Sequence, residues 1–155
     1  MENHIKNYFN NVSQISELID QDKISEIIDL LEKIRINKGR IFFLGVGGSA
    51  ANCSHAVNDF RKLCNIESYC PLDNVSELTA RINDESWDFS LVEWLKVSNL
   101  SSNDCLFVMS VGGGNIEKKV SLNLVNAVDY GLSLNCKVTG IVGRDGGYLK
   151  KKSKF

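Results

Sequence analysis

The chain has 155 residues, 43% of them hydrophobic and 24% charged, with a formal net charge of -1. That content suits one globular domain with a real core, and it offers no general attraction to nucleic acid or anionic lipid, so any affinity for phosphate must come from a local site. No apolar run is long enough to span a bilayer, and the opening MENHIKNYFNN lacks the basic-then-apolar layout of a secretory leader, so a cytoplasmic protein without membrane partners is expected. The five cysteines, Cys53, Cys64, Cys70, Cys105 and Cys136, are odd in number and show no C-x-x-C spacing. They read as reduced, buried, small hydrophobes.

In chain order, Ile5, Phe9, Val12, Ile15 and Ile19 recur at helical spacing, and Ile24, Ile27, Ile28, Leu31 and Ile34 form a second such run, which Lys38-Gly39 closes with a glycine cap. Ile41-Phe42-Phe43-Leu44 is a compact apolar run, the mark of a parallel strand buried on both faces. It leads into Gly45-Val46-Gly47-Gly48. A helix then starts at Ser49, on which Ala51, His55 and Asp59 share a face. Glu67 to Leu72 reads as a short strand ending near Pro71, the only proline. Asp73-Asn74 introduces a short helix over Val75 to Ala80, Asn83-Asp84 is turn-prone, and a further helix is expected over Trp87 to Val97. The second strong strand, Cys105 to Met109, again runs into glycines, Ser110-Val111-Gly112-Gly113-Gly114-Asn115. A helix through Leu122, Leu124, Val125, Ala127 and Val128, a strand over Lys137 to Val142 and the loop Gly143-Arg144-Asp145-Gly146-Gly147 follow. The lysines Lys150, Lys151, Lys152 and Lys154 read as a solvated face or a frayed tail. Strands alternating with helices call for right-handed crossovers and a parallel sheet flanked by helices, an α/β fold with ligands at the C-terminal strand ends.

Two glycine loops at two strand ends suit a small phosphorylated molecule, one end held by backbone N–H groups and hydroxyls, the other by polar side chains. The first loop also satisfies G-x-G-x-x-G/A, and Asp73 could serve as the acidic partner that a dinucleotide fold wants, so that reading stays open and is tested by titrating NAD. A Walker loop is excluded, because neither stretch ends in G-K-[ST]. His55 and Asp59, one turn apart, suit a general acid/base pair or two metal ligands, and equally a surface His beside a carboxylate. Ser49 can be a ligand group or a helix N-cap, and Asp145 has turn chemistry as its simplest explanation.

The motifs GVGGSAANCSHAVNDF, DNVSELTARIND, SVGGGN and GIVGRDGG, in that order, resemble the sugar isomerase (SIS) domain, and within it the phosphoheptose isomerase family. The resemblance implies a flavodoxin-like three-layer sandwich, the family's five-stranded parallel sheet being incomplete at the C-terminal end of the core over residues 39–155, and N-terminal helices over 1–38 used to assemble a homotetramer. It implies conversion of sedoheptulose 7-phosphate to a heptose 7-phosphate through an enediol, in heptose biosynthesis for a cell-surface polysaccharide, with a non-catalytic phosphosugar-binding or regulatory module as the alternative. Asp59 and His55 would stand at the family's catalytic positions, and zinc, which some members bind there, would use the same two side chains. No nucleotide cofactor is implied. Substrate contacts would come from Gly47, Gly48, Ser49, Asn74, Ser110, Gly112, Gly113, Gly114, Asn115 and Asp145. The family usually carries Asn where Val46 stands, Glu where Asp59 stands, and several hydroxyls where the second loop keeps only Ser110. It also continues beyond the position of Phe155 into a strand and helix bearing further site residues.

Overall fold

Why the Ile41–Leu44 run sits at the centre of the molecule is clear from what covers it. The structure is a computed structural model that describes residues 2–153. Ile41–Leu44 forms β1 with every side chain buried. Because side chains alternate along a strand, Phe42 and Leu44 enter one core and Ile41 and Phe43 the other. β1 lies between β2 (Ser68–Tyr69) and β3 (Cys105–Ser110), and β4 (Lys137–Val142) pairs outside β3, all parallel, in the order β2-β1-β3-β4.

Helices cover both faces. On one side α5 (Ser90–Val97), α6 (Leu122–Ser133) and α7 (Gly147–Lys152) pack on Phe42, Leu44, Leu106 and Val108 through Leu91, Leu95, Leu124, Val128 and Leu149. On the other, α2 (Gln21–Ile36) and α3 (Gly48–Lys62) pack on Ile41, Phe43, Cys105 and Phe107 through Leu30, Ile34 and Cys53. The result is the expected three-layer arrangement. α4 (Val75–Asp84) is capped by Asn74, and α1 (Glu2–Leu18) precedes the core with Ile5, Phe9, Val12 and Ile15 exposed.

The four strands read from the sequence are the four of the sheet among the described residues. Several finer expectations need correction. β2 has two residues rather than six, because the chain turns away through Cys70, Pro71 and Leu72. α5 begins at Ser90 rather than Trp87: Ser86 accepts from the Phe89 N–H with its hydroxyl and from the Ser90 N–H with its carbonyl, making a turn of its own first. The left-handed residue that ends α2 is Lys38 (φ 53°), not Gly39. Gly39 is needed for space, since a Cβ there would run into the carbonyl oxygen of Asn103. Lys154 lies outside the described residues.

All five cysteines are free thiols, and four are buried. Burial pushes the Cys53 and Cys136 thiols up to about 12, so they stay protonated and behave as apolar filling.

Candidate active site

In a sheet of this order the chain leaves β1 toward one face and β3 toward the other, which opens a crevice at their C-terminal ends. α3, following β1, lies on the Phe43 side, and α6, following β3, lies on the Phe42 side. Beside that switch point is an open cleft of about 370 Å³, lined by Ser49 and Asn52 of α3, by Met109, Ser110 and Val111 at the end of β3, and by Ile141, Val142 and Gly143 at the end of β4. No side chain lining it carries a charge.

The first loop is built to present backbone. Gly47 (φ 61°) is the N-cap of α3 and offers no side chain, while a Cβ on Gly48 would meet only open space. The N–H groups of Ser49 and Ala50 are turned back onto Val46 and Gly47 carbonyls, but those of Gly47 and Gly48 make no hydrogen bond among the described residues. Ser49 is therefore inside the helix rather than its cap, and its hydroxyl is left for the cleft. Val46 does not face the cleft at all. It packs against the core around Phe42 and Leu44, so its apolar character serves the fold.

The second loop divides in two. Ser110 lines the cleft, and its Oγ accepts from the Gly113 N–H at 3.0 Å, which orients the hydroxyl hydrogen elsewhere. Gly113 and Gly114, by contrast, are buried against the start of α7: their carbonyls accept from the Leu149 and Tyr148 N–H groups, each at 2.9 Å. A Cβ on Gly113 would strike the Gly146 carbonyl. Asn115 caps its own turn by accepting from the Lys118 N–H at 2.8 Å. Tyr148 ties α7 to α6 by donating to Asp129 at 2.5 Å, and burial together with that carboxylate pushes its hydroxyl up to about 12.

The expected site residues are thus not all in one place. Ser49 and Ser110 share the cleft, with Gly47, Gly48 and Gly112 beside it. Gly114, Asn115 and Asp145 line a second depression of about 330 Å³ next to Tyr148 and Lys151. Asp145 accepts from the Gly147 N–H at 3.2 Å, as a turn residue does, and Asn74 accepts from the Glu77 N–H at 3.2 Å as the cap of α4.

His55 and Asp59 meet on α3, Nε2 to Oδ2 3.3 Å, with Asn58 donating to the other carboxylate oxygen at 3.1 Å. The pair is open to solvent and lines neither depression. It falls on the helix face that Asn52 occupies, at i, i+3 and i+7, so Asp59 stands ~10 Å along the axis from Asn52. Asn52 was not singled out in the sequence, although its spacing from Ser49 and His55 is a readable signal. The pair supplies two of the three or four protein ligands that zinc takes. No group of three or more His, Cys, Asp or Glu among the described residues could complete such a set, so these residues alone do not fit a zinc site.

No family model matches the chain. The fold is that of the phosphoheptose isomerase of Neisseria gonorrhoeae, with a TM-score of 0.85 at 24% identity over 99% of this chain and 80% of that one. With its switch-point cleft and two glycine loops, the molecule has the α/β fold of sugar isomerase domains. Among curated proteins it is 26% identical over 153 residues to the phosphoheptose isomerase of Buchnera aphidicola (96% of this chain, 72% of the relative) and 28% identical over 138 residues to that of Helicobacter pylori (86% and 68%). The chain is thus similar to phosphoheptose isomerases along most of its length.

Proposed function

We propose that this chain interconverts sedoheptulose 7-phosphate and a heptose 7-phosphate by aldose-ketose isomerisation. The observation that supports the reading is the facing of Ser49 and Asn52 on α3 toward Ser110 at the end of β3, in a cleft at the strand switch point of a chain similar to phosphoheptose isomerases. The phosphate binds at the glycine loops and the sugar extends along α3, past Asn52, toward His55 and Asp59, a span that an extended seven-carbon chain with its phosphate covers. Asp59 takes the proton from the carbon beside the carbonyl. The C–H electron pair forms the enediol double bond while the carbonyl π pair moves onto its oxygen, which is protonated. The other enediol hydroxyl then gives up its proton as its electron pair forms the new carbonyl, and the double-bond pair takes a proton at the neighbouring carbon from the Asp59 carboxyl or from His55 hydrogen-bonded to it.

The two ends of this arrangement are separable. Asp59→Asn leaves the phosphate contacts intact, so turnover of sedoheptulose 7-phosphate should fall by about two to four orders of magnitude with KM nearly unchanged. Undiminished turnover would remove Asp59 from the base role. Wild-type binding of sedoheptulose 7-phosphate without turnover would overturn the enzyme in favour of a phosphosugar-binding module.

The same reading makes residues 1–155 one domain, in the cytoplasm, supplying heptose for a cell-surface polysaccharide. It also makes the protein a homotetramer assembled through the exposed apolar residues of the first helices, since such a surface is stable in water once covered. A zinc ion at His55 and Asp59 would draw its further ligands from another subunit or from outside residues 2–153.

A further inference from the structure

We propose that Arg144 is the cationic partner of the substrate's phosphate group, reaching it across Gly112 from the loop after β4. The inference rests on the phosphosugar reading and adds to it a residue outside both glycine loops.

The need for a cation is set by the cleft. None of its lining side chains is charged, the second loop contributes one hydroxyl, and two of that loop's three glycines are committed to α7. What remains for a dianion is a few backbone dipoles and two serines. Arg144 lies next to this gap. Its Nη1 is 3.8 Å from the point where a Cβ on Gly112 would sit, the only heavy atom of the described residues beyond Gly112 and its two neighbours within 4 Å of it, so the guanidinium lies beside the bare backbone of the loop that carries Ser110. The Gly112 N–H itself makes no hydrogen bond among the described residues.

Nothing else claims the Arg144 charge. It has no ion pair and no hydrogen-bond acceptor among the described residues, whereas Arg35, Arg40 and Arg81 are each paired with carboxylates. The neighbouring carboxylate, Asp145, accepts from the Gly147 N–H instead. The backbone is arranged to bring the side chain here: Arg144 is left-handed (φ 53°), and Gly143 before it approaches the Val111 carbonyl closely, where a Cβ would come within 2.9 Å. A planar guanidinium with parallel N–H donors matches phosphate oxygens two at a time, which a lone ammonium does not. One Arg near a glycine with a free N–H gives charge and direction together.

The test uses Arg144→Gln, which keeps the stem and removes the charge, and Arg144→Lys, which restores the charge without the fork. Two readouts are taken for each: binding of inorganic phosphate by calorimetry, and KM and kcat with sedoheptulose 7-phosphate. Arg144→Gln should weaken phosphate binding about tenfold or more and raise KM in parallel, with kcat nearly unchanged, and Arg144→Lys should recover part of both. Phosphate affinity should also fall more steeply with salt in the wild type than in Arg144→Gln. If the wild type binds no phosphate, or if Arg144→Gln, with unchanged circular dichroism, binds it equally well, the assignment is overturned. Absence of turnover with Arg144-dependent phosphate binding would sink the isomerase reading and leave this one standing. Normal turnover with an unchanged KM in Arg144→Gln would do the reverse.

Discussion

Asp104 is a buried carboxylate that stays charged because donors surround it. Its two oxygens accept from the Arg40 backbone N–H, Nε and Nη2 and from the Ser101 N–H and Oγ, at 2.8 to 3.0 Å. Burial works against the charge, but the hydrogen bonds from Arg40 and Ser101 outweigh it and hold the carboxyl below its usual range. With the folded value depressed, the stabilisation is fully present above the unfolded value of about 3.9 and is lost as pH falls through the folded one. Asp104→Asn should therefore cost about 2–3 kcal/mol at pH 7, measured by urea unfolding, and its Tm should fall less steeply than the wild type's below about pH 4. Equal steepness would assign the acid sensitivity to other groups. Nothing in the sequence pattern marked this residue. Asp104 and Arg40 each sit one position before a strand, where a charge is ordinary, and only the register of β1 against β3 reveals that they meet.

At the scale of elements, the contact between the second glycine loop and α7 is the feature that most changes the interpretation of the sequence. Three consecutive glycines suggest an anion nest, yet Gly113 and Gly114 serve to let two backbones touch. Gly113→Ala would meet the Gly146 carbonyl while forced to keep φ near 65°, so a loss of at least about 2 kcal/mol is expected in thermal or urea unfolding. Gly48→Ala, which meets only open space, should leave stability unchanged. A Gly113→Ala protein as stable as the wild type would show the contact to be slack. β1, β3 and β4 were legible because an uninterrupted apolar run has few ways to be buried other than in the middle of a parallel sheet. The division of the second loop was not, since it depends on where a loop over thirty residues later, Gly146-Gly147, comes to rest. The first loop was legible in part: Gly47 and Gly48 are open as expected, while Asn52 was hidden inside an ordinary polar helix stretch.

For the molecule as a whole, α1 carries apolar surface that the other described residues leave exposed. Phe9 is 63% and Ile15 62% exposed, side by side with Ile5 and Val12. If this stripe joins copies of the chain, as proposed above, Phe9→Glu with Ile15→Glu should lower the mass read by light scattering at micromolar concentration without unfolding the sheet; an unchanged mass would overturn that interface. The helical pattern in the sequence was plain, but periodicity cannot tell a stripe that meets its own core from one that meets another chain. The molecule is also polarised along its strands. The clamp between Arg40 and Asp104, which also holds the Ser98 and Asn99 carbonyls, stands at the beginnings of β1 and β3, and the cleft stands at their ends. Substitutions that retune the cleft end therefore act a strand's length away from the bonds that keep the sheet in register. Such a scaffold tolerates drift in what it recognises, and a shortened acid on the exposed face of α3 or a hydroxyl missing from the second loop can accumulate without the fold being put at risk.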